Sequence, residues 1–156
     1  MSEAATADLS SAQYELEIDI NGSRERVWKA LIEDTTLWWL PDFHMVGPDS
    51  TVEFDVSPGG RGLIEHGPDG SFLQWYSIQF YQPGQFTIYL VGNVAPDWGG
   101  PTTSNLKLSL LETDAGCTLQ ISDSHVGNVS EKYIESLATG WASLFGDGLG
   151  AHVEKN

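Results

Sequence analysis

Four residues of this chain are best suited to acid–base chemistry: His66, Tyr76, Asp123 and His125. Each lies in or beside a run with strand-like alternation, and each carries a group that can move or orient a proton. Cys117, Leu119 and Ile121 share one side of their strand, so Asp123 and His125 continue that side. Together with His66 and Tyr76 they can orient a ligand or act as acid and base. The structural alternative is that His125, near a strand end, meets water and His66 bonds a backbone carbonyl. Metal chemistry is not indicated. His44, His66, His125 and His152 show no tight ligand spacing, and the single Cys117 adds nothing to them. No Gly-x-Ser-x-Gly elbow is present for a serine nucleophile.

The stretch SPGGRGLIEHGPDG, Ser57 to Gly70, first resembles a phosphate loop. Glu65 stands where a dinucleotide fingerprint needs its last glycine, and the stretch leads into a strand rather than a helix. A hairpin explains it better. Gly67-Pro68-Asp69-Gly70 fits a type I turn followed by a bulge, which pairs Gly67 with Ser71, His66 with Phe72 and Ile64 with Gln74. Continued alternation sets Gly62 opposite Tyr76. Ile78, Phe80, Phe86, Ile88 and Leu90 then form the core face. Gly62, Ile64 and His66 are expected to point inward, and Arg61 and Glu65 outward. Gly62 marks either a bend in the strand or space for a pocket beside Tyr76.

These residues need a scaffold, and the remaining sequence supplies one. The chain has 156 residues, enough for one domain with a core, and six tryptophans to line it. Acids outnumber bases 22 to 7, a net charge of −15, which argues against nucleic acid and against anionic membrane surfaces. One cysteine excludes an internal disulfide, and the N-terminus has no secretory pattern; a cytoplasmic location fits. Residues 1–12 read as a disordered tail and 13–156 as a single domain.

YELEIDI alternates as a half-buried strand, and Ser23 caps a helix through RERVWKALIE. A second short helix runs through TTLWWL. Strands follow at TVEFDV, about residues 60–66, 72–80, 86–91, 105–111 and 117–123, with 93–104 as a long loop. A long helix from about Ser130 carries Tyr133, Leu137, Trp141 and Leu144 on one stripe. Gly146, Gly148 and Gly150 interrupt it, so a kink or a deliberate gap is expected there. Adjacent Trp38 and Trp39 must diverge, so one is assigned to a cavity mouth. Trp75 is expected on the outer sheet face, as a patch for a homodimer or another partner.

Strand, two short helices, six strands and a long helix describe an α+β fold in which a curved antiparallel sheet wraps the C-terminal helix. This order resembles the helix-grip superfamily of START domains, birch-pollen allergen and polyketide cyclases. Within it the chain is similar to the branch named after the activator of heat-shock-protein ATPase. The matching pieces are Val27-Trp28-Lys29-Ala30-Leu31, Trp38-Trp39, Pro58-Gly59-Gly60, Asp69-Gly70, Gly116-Cys117-Thr118-Leu119 and Gly140-Trp141. Cys117 departs from the branch's usual Thr, and Asp123 stands where a His often ends the strand. The resemblance implies a hydrophobic cavity and carries no shared catalytic residue.

The expected function is therefore non-enzymatic binding of a small apolar or amphipathic ligand between sheet and helix, with no cofactor. The cavity residues are Trp38, Gly62, Ile64, His66, Tyr76, Ile88, Asp123, His125, Trp141 and Gly148. The alternatives are a chaperone-ATPase-activator-like interaction module and a cyclase- or hydrolase-like enzyme using Asp123, His125 or Tyr76.

Overall fold

A computed structural model describes residues 8–155. Its strands are β1 (Ser10–Ile20), β2 (Thr51–Asp55), β3 (Gly62–His66), β4 (Phe72–Gln82), β5 (Thr87–Val94), β6 (Thr102–Thr113) and β7 (Gly116–Gly127). They form one antiparallel sheet in the order β1-β7-β6-β5-β4-β3-β2. Helices α1 (Arg24–Glu33) and α2 (Thr35–Trp38) follow β1, and α3 (Glu131–Ser143) follows β7. This is the expected helix-grip arrangement. Among the described residues no helix is long and apolar enough to cross a membrane.

Local chemistry places the helices where the sequence indicates. Ser23 and Ser130 each accept a backbone N–H of the first turn, from Arg26 and Tyr133. After α3 the chain widens into a π-helical segment, Leu144–Gly150, and closes with α4 (Ala151–Lys155). The expected irregularity is thus real, but it leaves no gap. A Cβ on Gly148 would lie 2.6 Å from the Trp38 carbonyl oxygen, so the missing side chain lets α2 and the π segment touch.

Several strands run longer than expected, β4 to Gln82 and β7 to Gly127 among them. β1 begins at Ser10 and pairs Ser10, Ser11 and Ala12 with Gly127, Val126 and His125, so the strand takes three residues assigned to the tail. Residues 1–7 of that tail lie outside the described residues. The 93–104 loop shrinks because β5 reaches Val94 and β6 starts at Thr102. Backbone pairing of Asn93 with Thr103 and of Val94 with Thr102 overrides their turn-like composition.

The hairpin at Gly67–Ser71 forms as expected, with His66 paired to Phe72 and Ile64 to Gln74. One step further the register shifts, and Leu63 rather than Gly62 faces Tyr76. Trp75 is the extra residue of this bulge. A bulge resets the alternation of the strand that carries it. Tyr76 and Ile78 therefore face the core as expected, yet so does Trp75 on the other side of the bulge. A second shift between Ile78 and Phe80 turns Phe80 outward against Tyr89.

Candidate functional site

The parity reset on β4 moves several expected site residues. On β3 the inward residues are Leu63 and Glu65, facing the buried Val52 and Phe54 of β2. Glu65, expected in water, is fully buried. Its carboxylate accepts the backbone N–H groups of Met45 (3.1 Å) and Val46 (2.8 Å). It also accepts the Ser50 hydroxyl at 2.6 Å and the Trp75 indole N–H at 3.1 Å. Burial alone raises a carboxyl pKa, but these donors outweigh it and hold Glu65 below the ordinary value. His66, expected in the cavity, instead lies 3.3 Å from Glu53 on the opposite face. Ile64 shares that parity and is buried outside the main core.

Gly62 adopts φ +71°, and a Cβ there would run into the Tyr76 carbonyl oxygen. The glycine brings two backbones together at the bulge and opens no pocket. Trp38 and Trp39 are both buried, because α2 ends at Trp38 and Trp39 already has extended backbone. Trp38 donates to the Ala30 carbonyl and packs on Phe145, away from any mouth. Ile88 belongs to the closed core. Trp75 is turned inward against Trp39, so the outer-face patch assigned to it does not exist.

The Pro-Gly-Gly corner is closed to phosphate. Asp55 accepts the N–H of Ser57 and of Arg61, the Ser57 hydroxyl and the Arg61 guanidinium. Its own carboxylate fills the position an anion would take. Those bonds, led by the Arg61 N–H, lower its pKa.

The remaining four expected residues, Tyr76, Asp123, His125 and Trp141, do come together, with others the sequence did not single out. Alternation along β7 turns Asp123 and His125 inward, and both are fully buried. Alternation along β6 continues from Leu110, Leu108 and Leu106 to Ser104 and Thr102. Tyr14 of β1 lies opposite Asp123. From above, α3 presents Tyr133, Leu137 and Trp141 at intervals of four. Asp123 is the hub. Its Oδ2 accepts Tyr14 Oη–H at 2.6 Å, His125 Nε2–H at 2.8 Å and Trp141 Nε1–H at 3.3 Å. Its Oδ1 accepts Ser104 Oγ–H at 2.8 Å. Ser104 Oγ lies 2.9 Å from Tyr76 Oη. On the far side, Tyr133 Oη lies 3.1 Å from His125 Nδ1 and 2.7 Å from Thr102 Oγ1.

The electrostatics follow from this packing. Burial pushes the Asp123 pKa up, but the bonds from His125, Tyr14 and Ser104 pull it below the ordinary value. Burial raises the Tyr14 and Tyr76 hydroxyls far above theirs, and the Asp123 charge adds to the effect. Tyr133 is raised as well, again chiefly by burial. The hub is thus a carboxylate ringed by protonated donors. Both nitrogens of His125 and both oxygens of Asp123 are engaged, and no buried described side-chain polar atom lacks a partner.

Above the hub lies a pocket of about 190 Å³ between the sheet and α3. Tyr76, Ser104 and His125 line it with Trp75, Trp98, Leu137 and Trp141, and Met45, Leu73, Gln74, Asn93 and Val94 complete the wall. Of the expected cavity residues, Tyr76, His125 and Trp141 touch this space, and Asp123 sits behind them. Tyr14, Thr102, Ser104 and Tyr133 escaped the sequence reading. The signal for Ser104 and Thr102 was the Leu110, Leu108, Leu106 alternation, which runs on through both. Among the described residues no group of three His, Cys, Asp or Glu could hold a metal.

The family model described as activator of Hsp90 ATPase homolog 1-like protein matches residues 21–154. A search of curated proteins finds no match. Solved structures show the same fold at low identity. Protein MLL2253 from Mesorhizobium loti has 18% identity and TM-score 0.65, covering 93% of this chain and 98% of that one. Ara h 8.0201 has 15% identity and TM-score 0.68, covering 94% and 100%. An AHSA1-like protein from Aeromonas hydrophila has 16% identity and TM-score 0.61, covering 92% and 93%.

Proposed function

The chain belongs to the activator of Hsp90 ATPase homolog 1-like family, and on that premise we propose that it binds a small apolar or amphipathic molecule without transforming it. The observation that carries this is the pocket of about 190 Å³, lined by Trp75, Trp98, Leu137 and Trp141 with the polar residues Tyr76, Ser104 and His125 at its inner end. Apolar walls with a few convergent polar groups are the usual make-up of a ligand site. Its size sets the ligand. A dry cavity of about 150 Å³ accommodates benzene, so this pocket fits one substituted ring or a chain of similar bulk. Binding is favoured over catalysis because both nitrogens of His125 and both oxygens of Asp123 are already engaged by other side chains.

Native mass spectrometry of the purified protein, followed by thermal-shift screening of ring-sized compounds, tests the proposal. Binders are expected to raise the melting temperature in the native chain and not in Leu137→Trp, which fills the pocket from α3. Equal shifts in both proteins would place the ligand elsewhere. A second reading rests on the family's name: interaction with a chaperone ATPase. Co-purification with the chaperone and a changed ATPase rate would support it; no binding and an unchanged rate would remove it.

A further inference from the structure

Hydrogen-bond direction in the pocket floor is fixed from below. Ionised Asp123 has acceptors only, and four groups from β1, β6, β7 and α3 point donors at it. Trp141 Nε1–H is a donor by its chemistry, which assigns Oδ2 as an acceptor. The depressed pKa of Asp123 agrees with that assignment. With the carboxyl ionised, Oδ1 carries no proton either, so Ser104 donates its own to it. The contact between Tyr76 and Ser104 then has one possible sense: Tyr76 Oη–H donates and Ser104 Oγ accepts. Tyr76 Oη is left with no proton to offer, and its remaining lone pairs are acceptors.

His125 presents no donor either. Its Nε2–H is spent on Asp123, and Nδ1 faces Tyr133. The other indoles of the inner wall are likewise committed, Trp75 to Glu65 and Trp141 to Asp123. Gln74 donates one amide N–H to the Arg61 carbonyl and, like Asn93 and Trp98, sits at the exposed rim. No Lys or Arg lines the pocket.

We propose that this pocket selects ligands carrying a hydrogen-bond donor on a ring-sized apolar body, with the donor on the Tyr76–Ser104 hydroxyl pair. Phenols and ring-sized alcohols or N–H heterocycles fit. Aldehydes, ketones and carboxylates of the same shape meet lone pair against lone pair, and an anion also meets the Asp123 charge behind the hydroxyls. The inference rests on the pocket being the ligand site.

Calorimetric titration of the intact protein with phenol, toluene and benzaldehyde tests it. These probes share a ring and differ in donating, neither and accepting only. Phenol is expected to bind about fivefold to tenfold tighter than toluene, as one hydrogen bond to a neutral acceptor allows. Benzaldehyde is expected to bind no tighter than toluene. In the double variant Tyr76→Phe, Ser104→Ala, phenol should fall to the level of toluene while toluene is retained. Toluene and phenol binding equally to the native protein, or benzaldehyde binding tightest, would overturn the donor inference and leave the pocket standing. No binding of any probe would overturn the pocket reading and this inference with it. The native-protein series decides the matter even where the double variant does not fold.

Discussion

Glu65 and Asp123 are both fully buried carboxylates, and each accepts four hydrogen bonds. Their partners differ in kind. Glu65 holds two backbone N–H groups and a serine of the 45–50 segment, so it ties a loop to β3. Asp123 holds only side chains, drawn from three strands and the terminal helix. Burial and saturation alone thus do not mark a functional carboxylate. Partners of both carboxylates line the pocket, Met45 and Trp75 for Glu65 and Ser104, His125 and Trp141 for Asp123; what distinguishes Asp123 is that its partner Ser104 goes on to contact a second pocket hydroxyl, that of Tyr76.

The largest effect that would sharpen this contrast is expected from Asp123→Ala. Four buried donors in rigid elements lose their acceptor together, which costs about 3–5 kcal/mol. Urea unfolding measures it. Glu65→Ala should cost less, about 2–3 kcal/mol, because the 45–50 loop can open and let water reach the freed N–H groups. Limited proteolysis should then cut in that loop. A larger cost for Glu65→Ala than for Asp123→Ala would break the comparison.

Acid provides a third check. Both carboxyls have folded-state pKa values below their unfolded ones. Their contribution is therefore complete above the unfolded values of about 4. It is lost as pH falls through the lower folded values. Stability should drop below about pH 4, and Asp123→Asn should flatten that drop. The smallest effect is expected from Arg61→Ala. Its ion pairs with Glu53 and Asp55 are solvent-exposed, so the loss should stay within about 1 kcal/mol.

The same contrast shows what the sequence revealed. On β7 alternation holds from Leu119 to His125, and Asp123 and His125 lie inside as the pattern indicates. On β4 the pattern fails, because Trp75 is one residue too many for the pairing with β3. The turn chemistry at Gly67–Gly70 set the register correctly for His66 and Ile64, but alternation could not be carried through the bulge. That is why Glu65 and His66 exchanged faces. A signal was present: Trp75 and Tyr76 are adjacent large aromatics in one strand, which strict alternation cannot place on one face. For Gly62 and Gly148 the sequence left open a bend or kink and added space; the bulge and the π segment bear out the first, and each glycine permits a backbone to come close rather than opening space. Element order, caps and helix stripe were legible because they rest on local rules. The hydroxyl network was not, since it joins residues from Tyr14 to Trp141 that only the sheet register brings together.

The account centres on the pocket above Asp123 as the ligand site, and residue-resolved NMR during titration with p-cresol tests it most directly. It predicts shifts concentrated at Tyr76, Ser104, His125 and Trp141, with Phe80 and Tyr89 on the outer face unmoved. Shifts that spare the floor, or that gather on the outer face, would contradict it.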